Sequence, residues 1–411
     1  MNTKIQVLRI TPHLFRPGVW PVAYDPAGGL QIQVWRITEA LEKAGISQTV
    51  LTSYIPGYPR STQHSDTLGV ECCGISLSEF FAGKLLGLTW FISIVKWLLK
   101  NEKAYDLIHI HYNHSIWCRV LTVIAHQLKI PVIVSLNTEL WISNNWRWLV
   151  AGRRFNLSLW IERWTLRSSD AVIVLTSLNS ARCSRQLKVE PRRIMVIPDT
   201  IDAETFRSQI ESTALSDFRK RFNIPNNKKV VIYVGRIRTE KGWEDLPLIA
   251  SVLEKSGAFM LVCGDGPDYH KLKKAFDDTG CHTSWNITGF LTPKEVRIAL
   301  EIADILILPS RREAFGGVLL EAMALGLPCV AYSVGGIIEV AGEPSAILLC
   351  PPKDKAAFTQ AIIDLLNNPG TCHELIAQGY RRVEDFSLKQ AVEDTMNCYT
   401  RVLVNNRLNH K

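Results

Sequence analysis

A chain of 411 residues is long for a single hydrophobic core and suits two domains of about 200 residues each. Hydrophobic residues make up 47% and charged residues 21%, a globular composition that excludes a disordered chain. The net charge of +8 is spread without a run of five or six Lys/Arg, which argues against a nucleic-acid partner and fits a protein that handles phosphates.

The opening MNTKIQVLRITPHLF has too short an apolar run for a signal peptide, since Pro12 and His13 follow at once. It reads as a first buried strand. The ten cysteines form no CxxC pair and no metal-ligand spacing with His, so free thiols in a reducing, cytoplasmic setting are expected. The run Leu85–Val95 is about half of what a membrane span needs. Lys84 and Lys96 bracket it as they would on a buried amphipathic helix, and membrane association is not expected. The sequence carries no reading of oligomeric state.

Strand-like runs follow in order at Gln6–Ile10, Gln48–Thr52, Leu107–His111, Val132–Leu136, Ala171–Leu175 and Ile194–Ile197, with helices such as Leu30–Ala44 and Leu157–Ser168 between them. The stretch Trp141–Arg167, rich in Trp and Arg, reads as an ordinary helix pair with a basic outer side. The pattern then begins afresh with Val230–Val234, Phe259–Cys263, Trp285–Thr288, Ile305–Leu308, Cys329–Tyr332 and Ala346–Leu349. Strands alternating with helices predict parallel sheets with right-handed crossovers, and two such series predict two doubly wound α/β domains. The boundary falls near Pro198–Phe206, giving an N-terminal domain of residues 1–200 and a C-terminal domain of residues 201–385. A last helix, Leu388–Val404, lies in the segment 386–411, and its basic tail Asn405–Lys411 is expected to fray.

Open parallel sheets bind ligands beyond the carboxyl ends of their strands. After Val230–Val234 comes Gly235-Arg236-Ile237-Arg238-Thr239-Glu240-Lys241-Gly242. Its two cations, Arg236 as a fork and Lys241 as a point charge, suit a diphosphate. The next strand ends in Gly264-Asp265-Gly266-Pro267, which lacks the third glycine of a dinucleotide fingerprint and reads as a tight turn beside a ligand. The segment Pro309–Ala324 carries two carboxylates eight residues apart. Glu313 is expected on a loop at the mouth, and Glu321 one turn inside a helix among apolar residues. Gly316 and Gly317 are expected to offer backbone N–H groups at that helix start. A buried Glu321 needs a partner, which two ribose hydroxyls or a nearby cation supply.

Together these motifs resemble the retaining glycosyltransferases of family 4, with their E-x7-E signature and GR-x4-KG loop. The GDGP turn, Gly289-Phe290-Leu291 and Val334-Gly335-Gly336 with Glu339 add to the resemblance. It implies the GT-B fold: two Rossmann-like domains facing a cleft, an N-terminal acceptor domain and a C-terminal nucleotide-sugar domain, with the last helix crossing back to the first. It further implies that Arg236, Lys241 and Glu313 are catalytic. Arg236 and Lys241 would hold the donor diphosphate, and Glu313 the donor-sugar hydroxyls with the backbone of Phe315, Gly316 and Gly317. Glu321 would take the ribose, Gly289, Phe290 and Leu291 would line the uracil slot, and Gly264 and the loop Gly28–Gly29 would approach the donor. No DxD triplet occurs, so neither a metal nor another cofactor is expected beside the UDP-sugar co-substrate.

The segment Trp20–Gln33, of pattern W-P-x3-D-x2-GG-x-Q-x-Q, resembles the transferases that place N-acetylglucosamine on 2-deoxystreptamine in aminoglycoside formation. A small aminocyclitol acceptor wants carboxylates and an aromatic wall, and Trp20, Asp25 and Glu139 are the candidates, with His111 and Asn137 beside them. The plainer reading makes Asp25 a turn cap and Trp20 a core residue. The family often carries a His where this chain has Asn137, which can hold a hydroxyl but cannot take a proton. A transferase of polysaccharide or glycolipid assembly and a silent nucleotide-sugar-binding protein are the other readings; the intact Arg236, Lys241, Glu313 and Glu321 argue against silence.

Overall fold

The computed structural model describes residues 5–11, 14, 29–54, 59–74, 79–101, 104–112, 116–137, 147–150, 153–280 and 284–409. Two compact units divide the chain. One is built from residues 30–198 with the first strand and the terminal segment 389–411; the other is built from residues 199–388.

The first unit opens with β1 (Gln6–Ile10), α1 (Gly29–Lys43), β2 (Ser47–Ser53), β3 (Ser61–Ser65) and β4 (Leu68–Cys73). It continues through α2 (Glu79–Lys100), β5 (Leu107–Tyr112), α3 (Ile116–Gln127) and β6 (Val132–Leu136). The hairpin β7 (Arg147–Val150) and β8 (Arg153–Asn156), α4 (Leu157–Ser168), β9 (Ala171–Val174), α5 (Ser177–Arg185) and β10 (Ile194–Val196) complete it. Eight strands form one sheet in the order β10-β9-β6-β5-β1-β2-β4-β3, parallel throughout except for the edge strand β3. Side chains alternate along each strand, so Leu8, Ile10, Ile108, Ile110, Val132 and Val134 enter one apolar core with Trp90, Ile94 and Leu98 of α2. Each such fully buried aliphatic contributes about 1.5–3 kcal/mol. Arg9, His109, His111 and Ser135 occupy the alternate positions and are buried as well.

One expectation changes here. Part of the Trp/Arg-rich stretch is an antiparallel hairpin, β7–β8, and among its described residues the helix is Leu157–Ser168. Trp148, Val150 and Phe155 favour strand over helix, and Ala151-Gly152 between the two runs suits a turn. In α2, the segment Trp90, Ile94 and Leu98 is buried while Leu88, Ile92 and Leu99 are exposed, so the helix is one-sided. Among the described residues no helix is long and apolar enough to cross a membrane. The described cysteines are free thiols.

The second unit runs through the short helix α6 (Ala203–Phe206), α7 (Ser212–Arg221), β11 (Val230–Val234), α8 (Leu246–Lys255), β12 (Phe259–Cys263) and α9 (Tyr269–Asp277). β13 (Trp285–Gly289), α10 (Pro293–Glu301), β14 (Ile305–Leu308), α11 (Gly317–Ala324) and β15 (Cys329–Tyr332) follow. The unit closes with α12 (Ile337–Ala341), β16 (Leu348–Cys350), α13 (Lys355–Asn367) and α14 (Pro369–Glu384). The sheet order β13-β12-β11-β14-β15-β16 is the doubly wound 3-2-1-4-5-6 pattern, all parallel. The strands are nearly continuous apolar runs because helices cover both faces. The last helix, α15 (Leu388–Asn409), belongs to the first unit from residue 389 onward. It continues to Asn409, so most of the tail expected to fray is helical.

Candidate functional site

In the second unit the strand order reverses between β11 and β14, and there the two most chemically loaded loops leave the sheet. The loop after β11 carries Arg236 and Lys241, and the loop after β14 carries Glu313. They are stitched together: Arg311 N–H and Arg312 N–H both donate to Glu240 O, at 2.9 and 3.2 Å. Gly242, at φ 73°, packs so closely that a Cβ there would stand 1.8 Å from Pro309 O. This closure brings Lys241 Nζ to 2.6 Å from Glu313 Oε2, which also accepts from Ser310 Oγ at 3.1 Å.

Burial reverses the expectation for the two carboxylates. Glu313 lies inside the loop, only 9% exposed, because Lys241 and Ser310 satisfy it there. Glu321 is half-buried. On α11 the residues Leu319, Leu320, Ala322, Met323 and Ala324 face the core, so Gly317, Val318 and Glu321 share the less covered stripe at spacings of three and four. The helix starts as the sequence predicts, with Gly316 in a left-handed conformation at its N-cap. The first N–H groups of a helix have no partner within it. Phe315 is buried edge-on against Phe386, so its ring belongs to the core.

The neighbouring strand ends join the same surface. Gly235 N–H donates to Cys263 O, Ile237 N–H to Asp265 O and Gly264 N–H to Gly289 O, all within 3.0 Å. Gly336 N–H, after β15, donates to Glu313 O at 2.9 Å. Thus Arg236, Lys241, Gly264, Gly289, Glu313, Phe315, Gly316 and Gly317 stand at consecutive strand ends of one sheet. Arg236 holds its loop through its carbonyl, which accepts from Tyr233 OH at 3.0 Å, while its buried Nε completes no hydrogen bond with a described residue. Leu291 is buried and Phe290 half-buried beside Gly289. Sequence reasoning missed Asp245. It is fully buried, accepts from Arg311 at 3.2 Å, Lys355 at 3.0 Å and Tyr332 OH at 2.9 Å, and so anchors the Glu313 loop from below. Its place in W-E-D-L-P, before an apolar helix, gave only the signal of a helix start.

In the first unit, His111 ends β5 and Asn137 follows β6, on adjacent strands. Burial first, and then the Arg9 charge, hold the His111 imidazole well below its ordinary pKa; Asn137 beside it acts the other way. Gly29 is the first residue of α1 and is exposed. Trp20, Asp25, Gly28 and Glu139 lie outside the described residues. Among the described residues no cluster of His, Cys, Asp and Glu has the makings of a metal site.

Comparison with known proteins agrees with this geometry. The family model described as "Glycosyltransferase Family 4" matches residues 27–205, and that described as "Glycosyl transferases group 1" matches residues 216–382. A 2-deoxystreptamine N-acetyl-D-glucosaminyltransferase of Streptomyces fradiae is 27% identical, over 99% of this chain and 96% of its own length. A 2-deoxystreptamine glucosyltransferase of Streptomyces kanamyceticus is 28% identical, over 91% of this chain and 99% of its own. Among solved structures, a sucrose-phosphate synthase from Thermosynechococcus elongatus superposes with a TM-score of 0.79 at 23% identity, over 98% of this chain and 100% of that one.

Proposed function

Since this chain belongs to the family 4-like glycosyltransferases of GT-B fold and is a hexosyltransferase, we propose that it transfers N-acetylglucosamine from UDP-N-acetylglucosamine to 2-deoxystreptamine, with retention, giving 2'-N-acetylparomamine. The observation that carries the reading is the meeting of Lys241 and Glu313 at 2.6 Å across the strand-order reversal of the second unit, with Arg236 on the same loop. Both relatives of near full length act on 2-deoxystreptamine by name, and they differ in the sugar. The segment Trp20–Gln33 supports the same acceptor.

In this reading Arg236 and Lys241 grip the donor diphosphate, and Glu313 turns to the hydroxyls of the transferred sugar. Gly316 and Gly317 offer N–H groups at the start of α11, Glu321 takes the ribose on the stripe they share, and Gly289, Phe290 and Leu291 flank the base. The bond between the anomeric carbon and the phosphate oxygen breaks as the acceptor oxygen bonds to the same face. The acceptor proton passes to the departing phosphate, whose charge Arg236 and Lys241 stabilise. No metal enters this scheme, because the cations serve the diphosphate. Trp20, Asp25, Glu139, His111 and Asn137 hold the acceptor.

The test is incubation with a panel of UDP- and GDP-sugars and two acceptors, 2-deoxystreptamine and a neutral cyclitol, read by mass spectrometry. The expected product is 2-deoxystreptamine carrying one N-acetylhexosamine. Glucose transfer would correct the donor, and transfer only to the neutral cyclitol would overturn the acceptor assignment.

A further inference from the structure

Arg9 is a fully buried arginine in the middle of the sheet of the first unit, and among the described residues its hydrogen-bond partners are Gln48, Tyr399 and His111, with no carboxylate. Its Nε and Nη2 donate to Gln48 Oε1 at 3.2 and 3.1 Å, Nη2 donates to Tyr399 OH at 2.9 Å, and Nη1 stands 2.8 Å from His111 Nε2. The strand register explains the assembly. Arg9 on β1 pairs with His109 on β5, and His111 pairs with Ser135 on β6, so all four side chains point to one face of the sheet. Tyr399 reaches the same group from α15.

A guanidinium has only donors. His111 Nε2, 2.8 Å from Arg9 Nη1, can therefore only accept, and the ring's one proton must sit on Nδ1. An imidazolium would set two donors against each other at this distance. The same logic runs along the second arm. Tyr399 O accepts from Arg9, so its hydroxyl proton goes to His109 Nδ1 at 2.8 Å, and His109 Nε2–H donates to Ser135 Oγ at 2.7 Å. Both rings are thus locked neutral, each in one tautomer, and burial together with the Arg9 charge works in the same direction.

The locked proton on His111 Nδ1 has a counterpart. Asn137 Oδ1, an acceptor, is buried beside it and favours a proton there, though the geometry between the two atoms falls short of a closed hydrogen bond. A buried donor and a buried acceptor left side by side call for a group that accepts from one and donates to the other, which is what a hydroxyl does. We propose that Arg9 is a positioning residue that fixes His111 as a permanent Nδ1–H donor, and that His111 and Asn137 together hold one hydroxyl of the acceptor without His111 taking a proton. This deepens the acceptor assignment made above and rests on it. It gives the C-terminal helix a task as well, since Tyr399 holds Arg9 in place.

The first measurement is independent of activity. Nitrogen NMR of the ¹⁵N-histidine-labelled protein should show His111 protonated at Nδ1 and bare at Nε2, without titration from pH 5 to 8. A proton on Nε2, or titration inside that window, overturns the proposal whatever the acceptor proves to be. The second measurement uses His111→Met, whose thioether keeps a weak acceptor for Arg9 and removes the donor. The acceptor KM should rise about ten-fold, as for one lost hydrogen bond, while the donor KM holds and kcat falls less than ten-fold. A kcat loss of a hundred-fold or more would instead make His111 the base. In Arg9→Met, with Arg9→Lys as the charge-keeping companion, the His111 ring should begin to titrate in the methionine variant and stay locked in the lysine variant. If Arg9→Met does not fold, the labelled parent and His111→Met still decide the matter. Absence of any transfer to 2-deoxystreptamine, with the tautomer as stated, would refute the acceptor and leave the lock standing.

Discussion

Gly242→Ala isolates the closure on which the donor site depends. Gly242 sits at φ 73°, where a side chain costs about 1–2 kcal/mol. Gly257 has φ 74° with nothing within 4 Å of an added Cβ, so Gly257→Ala suffers that cost alone. At Gly242 the new Cβ would also meet Pro309 O at 1.8 Å, and the two loops must separate by more than about 1 Å to relieve it. That separation falls on the contact between Lys241 and Glu313, one residue from Gly242 and four from Pro309. Misplacement of catalytic groups by about 1 Å costs on the order of a hundred-fold in rate. Steady-state kinetics and thermal melts of the two variants separate the effects. Both should lose stability from the left-handed backbone, a few degrees in Tm at about 2–4 °C per kcal/mol for a domain of this size. Only Gly242→Ala should also lose about a hundred-fold in kcat/KM. Equal activity in the two folded variants would refute the closure argument.

Lys241→Ala should lower turnover roughly thirty- to a thousand-fold, as loss of one charge-assisted contact costs about 2–4 kcal/mol of barrier, whereas the exposed Lys273→Ala should match the parent. Activity should survive excess chelator; complete loss restored by Mg²⁺ or Mn²⁺ would remove the metal-free scheme. Asp25→Asn should raise the acceptor KM about ten- to a hundred-fold with donor KM unchanged, and equal losses for both would reduce Asp25 to a support of the glycine loop. Stability should respond to pH through three buried groups of the first unit. His109 and His111 have folded pKa values well below 6.5, so each removes up to about 1.4 kcal/mol per pH unit as pH falls below that value. Burial pushes Glu162 up from 4.5 to about 7, so between those values it opposes them, favouring the fold as pH falls. Glu162→Gln removes the opposing slope, and the pH dependence of urea stability near pH 5.5 should roughly double; an unchanged slope would contradict the Glu162 assignment.

The strands of both central sheets were legible because they are buried on both faces and read as apolar runs with sharp ends. β11, β12, β14 and β15 fall on the predicted residues. β3 was not legible: S-T-Q-H-S is an exposed edge strand with no apolar face to betray it. β4 shows the alternation of Leu68, Val70 and Cys72, but glycine and glutamate between them weaken the signal. At the candidate donor site, the residue types and spacings pointed to loops that the fold does bring together, since charge and glycine after an apolar strand mark the ends of the sheet. Burial was not legible. Whether Glu313 or Glu321 is covered depends on the loop from a distant strand, and Gly242 against Pro309 is a contact across 67 residues of chain.

Arg9 shows the deeper limit and its cause. Q-V-L-R-I reads as a buried strand and H-I-H offers His111 beside the acceptor, but neither run says what the arginine meets. Their meaning arises only from register, which sets Arg9 opposite His109, and from Tyr399, which arrives from a helix 390 residues away in sequence. Once assembled, donor and acceptor counting leaves one arrangement of protons. The Arg9 cation denies both histidines the role of a base. Neutral histidines leave the acceptor proton without a base in this cluster, which is the condition under which transfer to the departing phosphate becomes the economical path. In the proposed transfer the chemistry then divides: a fixed donor for a hydroxyl in the first unit, and the Arg236 and Lys241 charges for a diphosphate in the second.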